Sequence, residues 1–143
     1  MKILYTAEAT VHGGRAGQAR SSDGNLVVNL SIPKEMGGSG GQGTNPEQLF
    51  AAGYAACFQS ALMQVARRQH VDASQSTIIA KVGIGPIGEG RFGLEVELHV
   101  AIPGVDKATG EKLVELAHQV CPYSNATRGN IPVKLTFEEQ PLL

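Results

Sequence analysis

Apolar and polar positions alternate with period two in three parts of the chain, and two stretches between them carry helical spacing. Leu26, Val28, Leu30 and Ile32 alternate with Val27, Asn29 and Ser31 after a Ser22-Asp-Gly-Asn25 turn signal. A β-compatible run from Ile3 leads up to Val11. Ile78, Ala80, Val82 and Ile84, then Leu94, Val96, Leu98, Val100 and Ile102, flank the turn-forming segment Gly85–Gly90. That pattern predicts a half-buried antiparallel hairpin. Val133, Leu135 and Phe137 predict a last strand.

A long helix is predicted from Thr44 or Asn45 to Arg68 or Gln69. Asn45 can cap it, Pro46 suits its first position and Glu47 favours the positive end of its dipole. Its Ala- and Gly-rich middle is apolar on nearly every face, which predicts burial. Asp106 caps a second helix, Lys107 to about Val120, with Leu113, Leu116, Ala117 and Val120 on one stripe. Cys121-Pro122 breaks from it and starts a short helical turn. The pattern as a whole predicts an α+β fold, antiparallel β-sheets packed around buried central helices, as a single domain over residues 1–143.

The chain has 143 residues, 42% hydrophobic and 17% charged, with a formal net charge of −1. This composition predicts one globular domain rather than a disordered chain. Without a basic face, nucleic acid is not an expected partner. No uninterrupted apolar run approaches membrane-spanning length, and the N-terminus lacks a signal-peptide core, so no membrane partner is expected. The economical compartment is a reducing cytoplasm. The glycine-rich segment Met36–Thr44 lacks the Lys-Ser/Thr of a phosphate-binding loop and reads as a mobile connector.

Two cysteines are the candidate chemistry. Cys57 sits within the apolar helix, where burial raises a thiol pKa. It becomes reactive only if a cation reaches it; Arg15, on a glycine-flanked bend, and Arg128, near Cys121, are the candidates. Cys121 precedes the Pro122 turn, whose amides favour a thiolate, so local logic makes Cys121 the more acidic thiol. Glu47 reads as a first-turn acid or an arginine partner. Ten residues separate it from Cys57, roughly 15 Å on a straight helix; a site using both needs either a bend at Gly53 or a second chain. The four histidines show no ligand spacing with the cysteines, so no metal is expected. A Cys-His hydrolase remains open in principle, with no histidine selected.

Residues 43–61, Gly-Thr-Asn-Pro-Glu-Gln-Leu-Phe-Ala-Ala-Gly-Tyr-Ala-Ala-Cys-Phe-Gln-Ser-Ala, and 121–130, Cys-Pro-Tyr-Ser-Asn-Ala-Thr-Arg-Gly-Asn, closely resemble the organic hydroperoxide resistance (Ohr) proteins of the Ohr/OsmC family. The resemblance extends over essentially the whole chain. It implies an OsmC-like intertwined homodimer with sites at the subunit interface. It implies that Cys57 is the peroxidatic thiol and Cys121 the resolving one, and that Arg15 stabilises the Cys57 thiolate while Glu47 orients Arg15. This reverses the local ranking of the thiols.

The implied reaction reduces organic hydroperoxides, alkyl or fatty-acid, to alcohols through a Cys57 sulfenic acid and a Cys57–Cys121 disulfide. No cofactor is bound; a dithiol of dihydrolipoyl type, carried on a lipoylated protein, recycles the disulfide. Phe50, Tyr54 and Phe58 are candidates for an apolar substrate pocket by composition. The alternatives are an OsmC-branch peroxidase of different peroxide preference and a dimeric redox-sensing or binding module.

Overall fold

The structure, a computed structural model, describes residues 1–139. The chain forms two compact units, Met1–Leu49 and a second beginning at Phe50.

The first unit is a three-stranded antiparallel sheet of β1 (Ala9–His12), β2 (Gln18–Ser21) and β3 (Val27–Asn29), in that order. The Ser22–Asn25 signal is the β2–β3 turn: the Asp23 carboxylate accepts from the Asn25 amide at 2.9 Å and the Ser21 hydroxyl at 2.6 Å. The alternation to Ile32 yields a strand that ends at Asn29; Leu30 still donates to the Gly17 carbonyl and makes a single parallel bridge to Thr44. The glycine-rich segment is not the loose connector expected. Gly38 and Gly40 donate to the carbonyls of Pro33 and Ile32, and Gly43 donates to Ser31 Oγ. The segment that follows β3 thus supplies the partners that the glycines themselves cannot.

Helix α1 (Pro46–Arg68) begins in this unit, with Asn45 Oδ1 accepting from the Gln48 amide at 2.8 Å. This cap and the following proline define the start as the sequence predicts. From Phe50 onward α1 is the core helix of the second unit. Tyr54, Phe58, Ala61, Leu62, Val65 and Ala66 are buried. By length and composition α1 could cross a membrane, contrary to the sequence expectation; its apolar side packs instead into a protein core.

The opposite side is open. Gln48, Ala52, Ala56, Ser60 and Gln64, spaced by four, are exposed. The expected burial on nearly every face is therefore not met within one chain: alanine and glycine read as apolar, but the packed elements reach only one side.

The second unit continues with β4 (Thr77–Gly88), β5 (Arg91–Ala101), α2 (Lys107–Val120), α3 (Pro122–Thr127) and β6 (Val133–Glu138). β4 and β5 form the predicted hairpin, closed by Glu89 and Gly90, both at positive φ. The ladder is longer than predicted and carries an irregularity at Ile87. β6 pairs with β5 in parallel, so the sheet is mixed where antiparallel pairing was expected. The cause is connectivity: α2 and α3 carry the chain back across the sheet before β6 begins, as a parallel pair requires. Asp106 caps α2 through the Thr109 amide.

Val96, Leu98 and Val100 of β5, Leu113 and Ala117 of α2 and Phe137 of β6 join the α1 side chains in one buried cluster. Each large aliphatic or aromatic side chain so buried contributes about 1.5–3 kcal/mol. Gly110 of α2 lies directly under the Phe137 ring, where a methyl group would overlap three ring carbons.

At an open helix position Gly→Ala stabilises by up to about 1 kcal/mol. Here the buried ring, 7% exposed, has nowhere to go. Gly110→Ala is expected to reverse that sign and destabilise the protein by about 1–3 kcal/mol, measured by urea unfolding; a variant as stable as the parent would refute this packing.

Candidate active site

The second unit brings the two cysteines together. Cys57 lies in the middle of α1, three residues after the buried Tyr54. Cys121 lies between α2 and α3: its amide donates to the Ala117 carbonyl, closing α2, and its carbonyl accepts from Asn125 in α3. Pro122, lacking an N–H, fits the first position of α3. The two Sγ atoms are 3.6 Å apart, both as free thiols. A covalent S–S bond is about 2.05 Å, so a small side-chain movement closes the gap.

Cys121 is fully buried and Cys57 partly so. Burial pushes the Cys57 thiol above its ordinary range, and the neighbouring Cys121 thiol adds to the effect. The Tyr123 amide works against them by donating toward Cys57. The amides at the start of α3, which local reasoning assigned to Cys121, thus serve Cys57 in part. Only the approach of α3 to α1 could show this.

Three hydroxyls join those helices. Tyr54 Oη lies 2.8 Å from Ser124 Oγ and 3.1 Å from Thr127 Oγ1. The rings of Phe50, Tyr54 and Tyr123 pack edge-on or tilted, with centroids 5.6–5.9 Å apart. Of the suggested pocket residues, Tyr54 and Phe58 have no exposed surface and are core side chains. Phe50 is partly buried, and the exposed ring beside it is Tyr123.

Arg128, one of the two candidate cations, donates to Asn125 Oδ1 at 2.7 Å and to the His118 carbonyl. It braces the segment around Cys121. His118 is held below the ordinary histidine range by burial first and by Arg128 second, partly offset by Glu115. It therefore stays neutral at physiological pH.

The first unit holds the other pair. Arg15 sits on a single 3-10 turn, Gly14–Ala16, between β1 and β2. Its guanidinium donates to both carboxylate oxygens of Glu47, at 2.9 and 2.8 Å. This is the two-pronged geometry that only arginine supplies. Glu47 is 13% exposed and Arg15 35%. The Arg15 hydrogen bond lowers the Glu47 carboxyl against its desolvation, and the same contact raises Arg15. Gly17 allows the turn: a methyl there would overlap the His12 carbonyl. Sequence reasoning flagged the glycine-flanked bend but not this close approach, which becomes visible only once β1 and β2 are paired.

Residues 38–136 match the OsmC-like protein family. An organic hydroperoxide resistance protein of Xanthomonas axonopodis pv. citri is 60% identical over 137 residues, covering 95% of this chain and 96% of that protein. The organic hydroperoxide resistance protein OhrB of Bacillus subtilis is 46% identical over 136 residues, covering 94% and 98%. The crystal structure of an organic hydroperoxide resistance protein from Elizabethkingia anophelis superposes with a TM-score of 0.92 at 54% identity, covering 98% of this chain and all of that one.

The Arg15–Glu47 pair sets an acid limit. The folded Glu47 carboxyl is depressed below its ordinary 4.5. Its contribution is therefore present above that value and lost as pH falls through the folded one. Glu47→Gln is expected to cost about 1 kcal/mol near neutrality, with the difference from the parent vanishing in acid. Paired urea melts across pH 2–7 check this (about five pH points suffice); a difference that grows in acid would contradict the pairing.

Proposed function

Because this chain belongs to the Ohr/OsmC family, we propose that it is a thiol peroxidase that reduces organic hydroperoxides to alcohols and serves in defence against organic peroxide stress. One observation carries the reading: two thiols 64 residues apart in sequence sit 3.6 Å apart between sulfurs, one partly open and one enclosed.

The Cys57 thiolate attacks the terminal oxygen of ROOH. The O–O bond breaks, the alkoxide leaves and takes a proton to become ROH, and Cys57 is left as a sulfenic acid. The Cys121 thiol then attacks the Cys57 sulfur, expelling water and forming the disulfide. A dithiol reduces that disulfide by exchange. In this reading the reductant is of dihydrolipoyl type, carried on a lipoylated protein, and the compartment is the cytoplasm. The reaction needs no bound cofactor, because both electrons come from the two sulfurs.

Ionisation of Cys57 is the demanding step, since burial opposes it. We assign its compensation to the Arg15 guanidinium, held in one orientation by Glu47. A homodimer is part of the reading. The open face of α1 carries small residues, Ala52, Ala56 and Ser60, at its middle, which admit close approach of another chain, and Ile3, Leu4 and Tyr5 are exposed at the N-terminus. The apolar border formed by Phe50 and Tyr123 suits an organic substituent better than hydrogen peroxide.

Cys57→Ser is expected to abolish dithiol-driven consumption of cumene hydroperoxide. Cys121→Ser should allow a single oxidation and then stop with Cys57 as the sulfenic acid or a higher oxide, read by intact mass. The unmodified protein should favour cumene hydroperoxide over hydrogen peroxide by more than about tenfold in kcat/KM. Full turnover by Cys57→Ser, or a preference for hydrogen peroxide, would defeat the proposal.

A further inference from the structure

We propose that Tyr54, Ser124 and Thr127 act as a buried hydroxyl clamp that positions Cys121 for condensation with Cys57. The inference rests on the peroxidase reading above and concerns its second step.

Helix α3 has six residues, too few to persist by its own backbone bonds. Something else must seat it, and Cys121 with it. Ser124 is fully buried and Thr127 7% exposed, and both meet the fully buried Tyr54 hydroxyl. Tyr54 precedes Cys57 by three residues and Ser124 follows Cys121 by three. The clamp therefore grips each helix one turn, about 5 Å, from its thiol. Thr127 also donates to the Ser124 carbonyl at 3.2 Å.

One assignment uses every proton. Ser124 Oγ–H donates to Tyr54 Oη, Tyr54 Oη–H donates to Thr127 Oγ1, and Thr127 Oγ1–H donates to the Ser124 carbonyl. Each hydroxyl donates once, and the chain of bonds ends on the backbone of α3. Buried groups satisfied in this way prefer one arrangement strongly, because any shift leaves a donor or acceptor unpaired in an apolar surround.

The chemistry gives that arrangement a use. Condensation, Cys57–SOH plus Cys121–SH giving the disulfide and water, is an intramolecular displacement whose rate depends on how often the attacking sulfur is in line. It competes with further oxidation of the sulfenic acid by a second peroxide. The hydrogen bonds of the three hydroxyls run to one another and to the Ser124 carbonyl, not to the reacting sulfurs; they are positioning residues, acting through α3.

The test compares the full chain with Tyr54→Phe and Ser124→Ala, each confirmed folded by thermal melting. One equivalent of tert-butyl hydroperoxide is mixed with reduced protein. The rate of Cys57 oxidation is expected to stay within about twofold of the parent, while disulfide closure slows about tenfold, the effect of one lost buried hydrogen bond. Excess peroxide should then drive more Cys57 to the sulfinic acid. A merely stabilising role would lower the melting temperature and leave this partition unchanged.

Should Tyr54→Phe fail to fold, Ser124→Ala decides. Closure by diamide, which needs no peroxide, is measured in parallel and should slow by the same factor. Parent-like closure with both oxidants overturns the clamp. A parent chain inert to peroxide would remove the peroxidase reading, while the diamide comparison still decides the clamp.

Discussion

Desolvation of Cys57 is the constraint around which the site is organised. A thiol partly enclosed by a core helix resists ionisation, and the adjacent Cys121 thiol strengthens that resistance. The Tyr123 amide, in the same unit, favours the thiolate at that sulfur, and the thiol still stands above its ordinary range. Under the proposed chemistry, a fixed cation must supply the remainder. Enclosure also has a benefit: it keeps Cys57 beside its partner thiol and away from indiscriminate reaction.

The proposed chemistry draws on two pairs of side chains, one in each unit. Arg15 and Glu47 form a two-pronged ion pair on a short turn and a helix start. An arginine so held loses little further freedom when it meets an anion, which is the sense in which it is preorganised. Cys57 and Cys121 are held by the approach of α3 to α1, through hydroxyls and aromatic rings. Arg128, spent on Asn125 and the His118 carbonyl, is structural.

Small residues serve twice. On α1, Ala52, Ala56 and Ser60 leave the middle of one face open and low; on α2, Gly110 lets the Phe137 ring lie against the helix backbone. In both places the absent side chain is the feature, and hydropathy does not register it. That is why the pattern read α1 as buried all round.

Much of this protein was legible in the residue order. Period and punctuation determined α1, α2, the β4–β5 hairpin and the last strand, because caps, prolines and alternation act over a few residues. The cysteines stood out as the candidate redox pair by residue type, and their flanking segments carried the family resemblance. Tertiary structure alone decided the rest. It made β6 parallel through the α2–α3 crossover, tied the glycine-rich segment to the residues that follow β3, and moved Tyr54 and Phe58 from a suggested pocket into the core. It also turned the Tyr123 amide toward Cys57 and set the sulfurs 3.6 Å apart. Each of these depends on contacts between residues far apart in sequence, and local propensity carries no information about which distant partner will arrive.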